Sequence, residues 1–275
     1  MPVWAASLHR GKGYLISKET VTQLGVGQLS ATAKTLTGVP GLDEILGGGI
    51  PRGRVVLVVG GPGAGKTILG TQFLVNGIKT YGENSAFVSL DENKQHYHSE
   101  MEKFSWDIAK LEKDGKFAFV DASPIRSIPG EVKIGKMTIG KRDFSLISLI
   151  EGIKTSVKAI DAQRVVIDPI ASLVFQFPDV VQRRNAVLDL VEALVETGGT
   201  CILTTELRAP GLERAVQLEE YLAHGVIILQ TVQVGRAMTR SIQVEKMREA
   251  AIDMQPRPYR ITSSGIEVFP KESIY

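Results

Sequence analysis

Apolar positions along the chain gather into short runs that alternate with longer amphipathic stretches. Val55-Val56-Leu57-Val58-Val59, Ser85 to Leu90, Phe117 to Asp121, Arg164 to Asp168 and Thr200 to Thr204 are near-continuous runs of strand length. That is the pattern of strands buried on both faces of a parallel sheet. Between them, Ile68 to Lys79, Lys94 to Phe104, Ser145 to Ala159 and Asp179 to Glu196 read as helices. The last of these carries Val180, Val187, Leu188, Val191, Leu194 and Val195 as an apolar stripe and stops at Gly198-Gly199. Beyond Gly211 the alternation gives way to strands in succession: Val226 to Gln230, Ser241 to Lys246, Pro258 to Ile261 and Ile266 to Phe269, with a turn near Val234-Gly235-Arg236. The pattern predicts an α/β fold with a mostly parallel central sheet flanked by helices and a C-terminal antiparallel strand meander.

Two stretches stand outside this alternation. Residues 1–34 show little periodicity and set Arg10, Lys12, Lys18 and Lys34 against Glu19 alone, so they read as a basic N-terminal extension to a domain at 35–275. Ala122 to Arg142 reads as a long basic loop carrying Arg126, Lys133, Lys136, Lys141 and Arg142, with a small hairpin at Val132 to Ile139. Composition limits the rest. With 43% hydrophobic and 23% charged residues the chain can bury a sizeable core, and a net charge of +2 neither demands nor excludes nucleic acid. The sole cysteine, Cys201, lies in an apolar run and reads as a buried strand residue. No intrachain disulfide is possible. No run approaches the ~18 apolar residues of a membrane span, and a cytoplasmic location is expected.

The chemistry centres on Gly60-Gly61-Pro62-Gly63-Ala64-Gly65-Lys66-Thr67, which fits the phosphate-binding pattern G-x-x-x-x-G-K-[ST] with a strand before it and a helix opening at Ile68. Glycines let backbone N–H groups close around phosphates, Lys66 adds a charge for the β/γ oxygens, and the helix N-terminus adds its unpaired donors. ATP is the expected ligand, with Mg2+ held by the Thr67 hydroxyl. The strand ending in Asp91-Glu92 places two carboxylates where ligands gather in open α/β sheets, so either is a candidate base for the water that attacks the γ-phosphate. Asp168, closing a later apolar strand, is the second expected metal residue, and Glu206 at the next strand end is placed to sense the γ-phosphate. His96 and His98, two apart on a helix, diverge and make a poor metal pair.

Together with Thr37-Gly38-Val39-Pro40-Gly41-Leu42-Asp43, Thr204-Thr205-Glu206, Lys246-Met247-Arg248 and Tyr259-Arg260-Ile261-Thr262, these motifs follow an order that resembles the KaiC-like branch of the RecA-family ATPases, which includes archaeal RadA paralogues. The resemblance covers Thr35 to about Pro270 and implies a RecA-like P-loop NTPase core. It implies a homo-oligomeric ring, commonly a hexamer, with ATP between subunits and Lys246 and Arg248 reaching the γ-phosphate of a neighbour. The family's segment continues with glycine and then histidine, whereas this chain continues Glu249-Ala250-Ala251, from which slow turnover or a need for a partner is expected. The adjacent serine and threonine of the self-phosphorylating clock domain are replaced by Glu219-Glu220-Tyr221-Leu222, which favours an ATPase over an autokinase. A regulatory or recombination-associated switch is the leading expectation. The alternatives are a module binding single- or double-stranded DNA with little turnover, and a signalling ATPase with protein partners.

Overall fold

Every residue of Val55–Gly60 is buried, and a strand apolar at each position needs cover on both faces. In the computed structural model that strand lies inside a nine-stranded sheet. The structure describes residues 33–123, 132–134, 137–139, 146–207 and 216–274. The chain divides into Met1–Ala31 and Thr32–Tyr275; the first unit lies outside the described residues, and so does the expectation of a basic arm there. The strands are β1 (Lys34–Thr35), β2 (Ile50–Pro51), β3 (Val55–Gly60), β4 (Ser85–Ser89), β5 (Phe117–Asp121), β6 (Val132–Ile134), β7 (Met137–Ile139), β8 (Arg164–Asp168), β9 (Thr200–Glu206), β10 (Gly225–Val234), β11 (Ala237–Met247), β12 (Arg257–Thr262) and β13 (Gly265–Val268). The helices are α1 (Leu42–Ile45), α2 (Lys66–Tyr81), α3 (Lys94–Met101), α4 (Ile108–Lys113), α5 (Leu146–Ala159), α6 (Ala171–Val174), α7 (Val180–Glu196) and α8 (Leu218–Leu222).

The sheet order is β13-β12-β11-β10-β3-β9-β8-β4-β5. From β10 to β5 each neighbouring pair is parallel, and β11, β12 and β13 add antiparallel strands at one edge. The expected α/β architecture is therefore present, with β10 joining the parallel part. Side chains alternate between two cores: Val56, Val58, Phe87, Val166, Ile202 and Ile227 face one, while Val55, Leu57, Val59, Val88, Ile167 and Leu203 face the other. Helix α2 covers the first core with Leu69, Phe73 and Leu74, and α7 covers the second with Val187, Leu190, Val191 and Leu194.

The helix stripe read from α7 needs correction at its ends. Val180 is 63% and Val195 37% exposed, because the buried face follows Ala186, Val187, Leu190, Val191 and Leu194 at the 3.6-residue period. The β10–β11 hairpin extends beyond the apolar runs that announced it, from Val226–Gln230 to Val234 and from Ser241 back to Ala237. Its outer half is held by backbone pairing rather than burial, so hydropathy carried no sign of it. The small hairpin β6–β7 forms as expected. Arg126, Lys136, Lys141 and Arg142 of the basic loop lie outside the described residues, and with them the nucleic-acid contact expected of that loop. Cys201 is fully buried, and burial pushes its thiol up to about 12. Short α4, α6 and α8 had no counterpart in the periodicity, being too brief to show one.

Candidate functional site

The loop between β3 and α2 is shaped by its glycines. Gly63 and Gly65 adopt φ of 74° and 90°, a region open to glycine at little cost, and Gly65 is the residue from which α2 starts. A Cβ at Gly61 or Gly63 would meet nothing within 4 Å, so the loop's inner side faces open space. Lys66 folds back over the loop, donating to Gly60 O at 2.8 Å and Gly61 O at 3.2 Å. Partial burial lowers its pKa, opposed by nearby Asp168 and Glu206. From beneath, the Tyr259 hydroxyl of β12 donates to Ala64 O at 2.6 Å, and Ile261 and Ile266 pack under Gly65. The C-terminal strands thus brace the loop, a role that the Tyr259-Arg260-Ile261-Thr262 motif did not by itself specify.

Thr67 and Asp168 meet across the sheet. The Thr67 hydroxyl donates to Asp168 Oδ2 at 2.6 Å, and Thr204 donates to Oδ1. Asp168 is 9% exposed; burial raises its pKa, against the two hydroxyl donors and Lys66, which lower it. Hydroxyl and carboxylate oxygens side by side suit a hard cation such as Mg2+, which keeps waters and shares substrate phosphates instead of needing a full protein cage. Among the described residues no group of three or more His, Cys, Asp or Glu side chains gathers to hold a metal by itself.

The carboxylates after β4 are brought to the same cleft, of about 140 Å³, whose walls include Lys66, Thr67, Phe87, Glu92, Asp168 and Glu206. Neither carboxylate caps α3; the Asn93 side chain does, accepting from His96 N. Asp91 accepts from the Ser172 hydroxyl. The Glu92 carboxyl is raised above the ordinary range by partial burial first, then by Glu100 and Asp168. Glu206 ends β9 in register with Gly60, one strand from the loop. Ile68 follows Thr67 in the first turn of α2. His96 is exposed, while His98 is half-buried, 3.4 Å from Glu112 and edge-on to Phe119.

Lys246 and Arg248 are not part of this cleft. Met247 pairs with Gly225, which pairs with Val56 near the start of β3, whereas the phosphate loop follows the end of β3. The stretch of β3 from Val56 to Gly60 separates them, roughly 13 Å at ~3.3 Å per residue. Lys246 Nζ donates to Glu220 O at 3.0 Å and Ala223 O at 2.7 Å, capping the last turn of α8. Its pKa is lowered by burial and by Arg248. Arg248 is exposed.

Comparison with known proteins gives the chain a family. A family model described as "ATPase: KaiC" matches residues 35–273. A UPF0273 protein of Saccharolobus solfataricus is 38% identical over 239 residues, covering 84% of this chain and 81% of that protein. The circadian clock oscillator protein KaiC of Synechococcus elongatus is 34% identical over 257 residues, 93% of this chain but 48% of that protein, so the chain spans about half of KaiC's length. The crystal structure of a KaiC-like protein from Pyrococcus horikoshii superposes with a TM-score of 0.73 at 36% identity, covering 87% of this chain and all of the other. The chain belongs to the KaiC family of ATPases and has its RecA-like fold.

Proposed function

We propose that the chain binds ATP with Mg2+ at Gly60 to Thr67 and hydrolyses it slowly, assembling through its nucleotide sites and working as a regulatory switch. The observation that carries this reading is the Thr67–Asp168 hydrogen bond at 2.6 Å beside Lys66 and Glu92. It sets a metal-type oxygen pair, a phosphate cation and a raised carboxylate around one cleft. The loop glycines and the Ile68 N–H bind the phosphates, and Lys66, once released from Gly60 O and Gly61 O, reaches the β/γ oxygens. Thr67 and Asp168 would hold Mg2+, which would supply neutralisation of the phosphate charge. Glu92 is the preferred base, because Asp91 is held by Ser172 and a raised carboxylate is the stronger proton acceptor. Glu206 stands where the γ-phosphate would be felt. Localisation in the cytoplasm fits this reading; no described helix is long and apolar enough to cross a membrane.

Lys246 and Arg248 sit at the opposite end of the sheet from the loop. A group that completes the site from there must come from another copy stacked head to tail, the arrangement of a ring. DNA binding, as in a RadA paralogue, has no comparable support among the described residues. ATP hydrolysis by the wild type and by Lys66→Ala tests the reading. Mg2+-dependent turnover that Lys66→Ala abolishes is expected, and equal background rates in both would overturn it.

A further inference from the structure

Three chain segments converge at the end of the sheet that carries Lys246 and Arg248. Arg54 precedes β3, His224 precedes β10, and Arg248 follows β11. His224 ties them together. Its N–H donates to Val55 O at 2.9 Å, its Nδ1 accepts from Val55 N at 3.2 Å, and its carbonyl accepts from Arg248 N at 2.9 Å. Arg54, Arg248 and Lys246 all lie close enough to its imidazole to disfavour protonation. The result is a cluster of cationic groups around one fixed ring.

Glu249 sits within this cluster in an unusual way. Its φ is 64°, a backbone region that favours glycine. Its side chain grips Arg54 with both oxygens, one at 3.3 Å from Nε and the other on Nη2. A guanidinium fork that takes a carboxylate with two parallel bonds presents the same geometry to two phosphate oxygens. Glu249 therefore occupies, within the same chain, the position an incoming phosphate would claim.

We propose that Arg54 is a third cation of this face, supplied with Lys246 and Arg248 to the nucleotide of a neighbouring copy, and that Glu249 is its internal counter-ion, which must let go before Arg54 can act. The proposal rests on the ATPase reading above. It also gives the acid after Arg248 a physical consequence: a carboxylate competing for the trans cations slows the assembled enzyme and leaves the phosphate loop untouched.

The test uses the full chain, with ATP hydrolysis measured across a range of protein concentrations and native mass recorded in ATP. Glu249→Gln should raise turnover about fivefold at concentrations where copies associate, a gain in kcat that fades on dilution. Arg54→Ala should lower turnover, and the double variant Arg54→Ala/Glu249→Gln should match Arg54→Ala. Arg54→Lys keeps the charge and loses the fork, so its turnover should fall as well. No gain in Glu249→Gln, a gain that survives Arg54→Ala, or wild-type turnover in Arg54→Lys would each reduce Arg54–Glu249 to a surface ion pair and overturn the proposal. Lys66→Ala separates the two failures. If the wild type turns over no faster than Lys66→Ala, the ATPase reading falls, and the role of Arg54 with it.

Discussion

Asp168 and Glu92 carry opposite demands in one cleft. Asp168 is buried with its carboxylate held by two hydroxyls, and burial raises its pKa. A carboxyl raised on folding favours the fold when protonated, so its cost grows as pH climbs past the ordinary carboxylate range. Asp168→Asn removes that cost. It should raise the thermal midpoint of the ligand-free protein by a few degrees, about 1 kcal/mol for a chain of this size, while abolishing the stabilisation conferred by Mg2+ with ATP; differential scanning with and without ligand measures both. Glu92 is raised by partial burial and by the acids Glu100 and Asp168. In the proposed role of base it must be ionised, so kcat/KM should fall on the acid side at a higher pH than an ordinary carboxylate dictates. Glu92→Gln should cost roughly 10²–10⁴-fold in turnover with ATP binding kept, and Asp91→Asn much less. A pH–rate profile in which Glu92→Gln keeps both the rate and the acid limb would remove Glu92 from this role.

Among the elements, α2 does two jobs along one axis. Its first turn presents Lys66 and Thr67, while its later turns lie so close to the sheet that glycine is required. A Cβ at Gly77 would stand 2.4 Å from Arg164 Cδ and 2.5 Å from Nε. Arg164 cannot give way: it is 1% exposed, paired with Glu83 at 2.7 Å, bonded to Phe73 O at 2.9 Å and stacked 4.5 Å from the Phe73 ring. Gly77→Ala should therefore destabilise by roughly 1–3 kcal/mol despite alanine's better helix propensity. Urea unfolding should show the shift as a lower midpoint at unchanged slope. The phosphate loop would feel the same displacement, because α2 begins at Lys66.

For the whole molecule, the decisive feature is polarity along the strands. The loop Gly60 to Thr67, Asp91, Glu92, Asp168 and Glu206 lie at the C-terminal ends of parallel strands, and Arg54, His224, Lys246 and Arg248 lie at the opposite ends. Like surfaces do not meet in such a contact, so the proposed association through the site would be head to tail and would close as a ring or run on as a filament. Native mass should rise in ATP, and Arg248→Ala should depress turnover only at concentrations where copies associate. A protein that stays monomeric in ATP while turning over at its full rate would contradict completion in trans.

The sequence by itself determined the parts that local chemistry specifies. The turn from β3 into α2 was legible because eight contiguous residues, Gly60 to Thr67, and both flanks encode one backbone shape. The core strands were legible because burial on both faces leaves an unbroken apolar run. The order of the parallel strands, the bracing of Ala64 by Tyr259 and the Thr67–Asp168 bond across 101 residues came only from the tertiary structure. So did the fate of Glu249, which as sequence is a departure from a motif and in the fold is the partner of Arg54, 195 residues away. The physical reason is common to all of these. A short window encodes backbone conformation and burial, whereas the partner of a polar side chain is decided by which strands lie side by side, and that is settled by packing of the whole sheet.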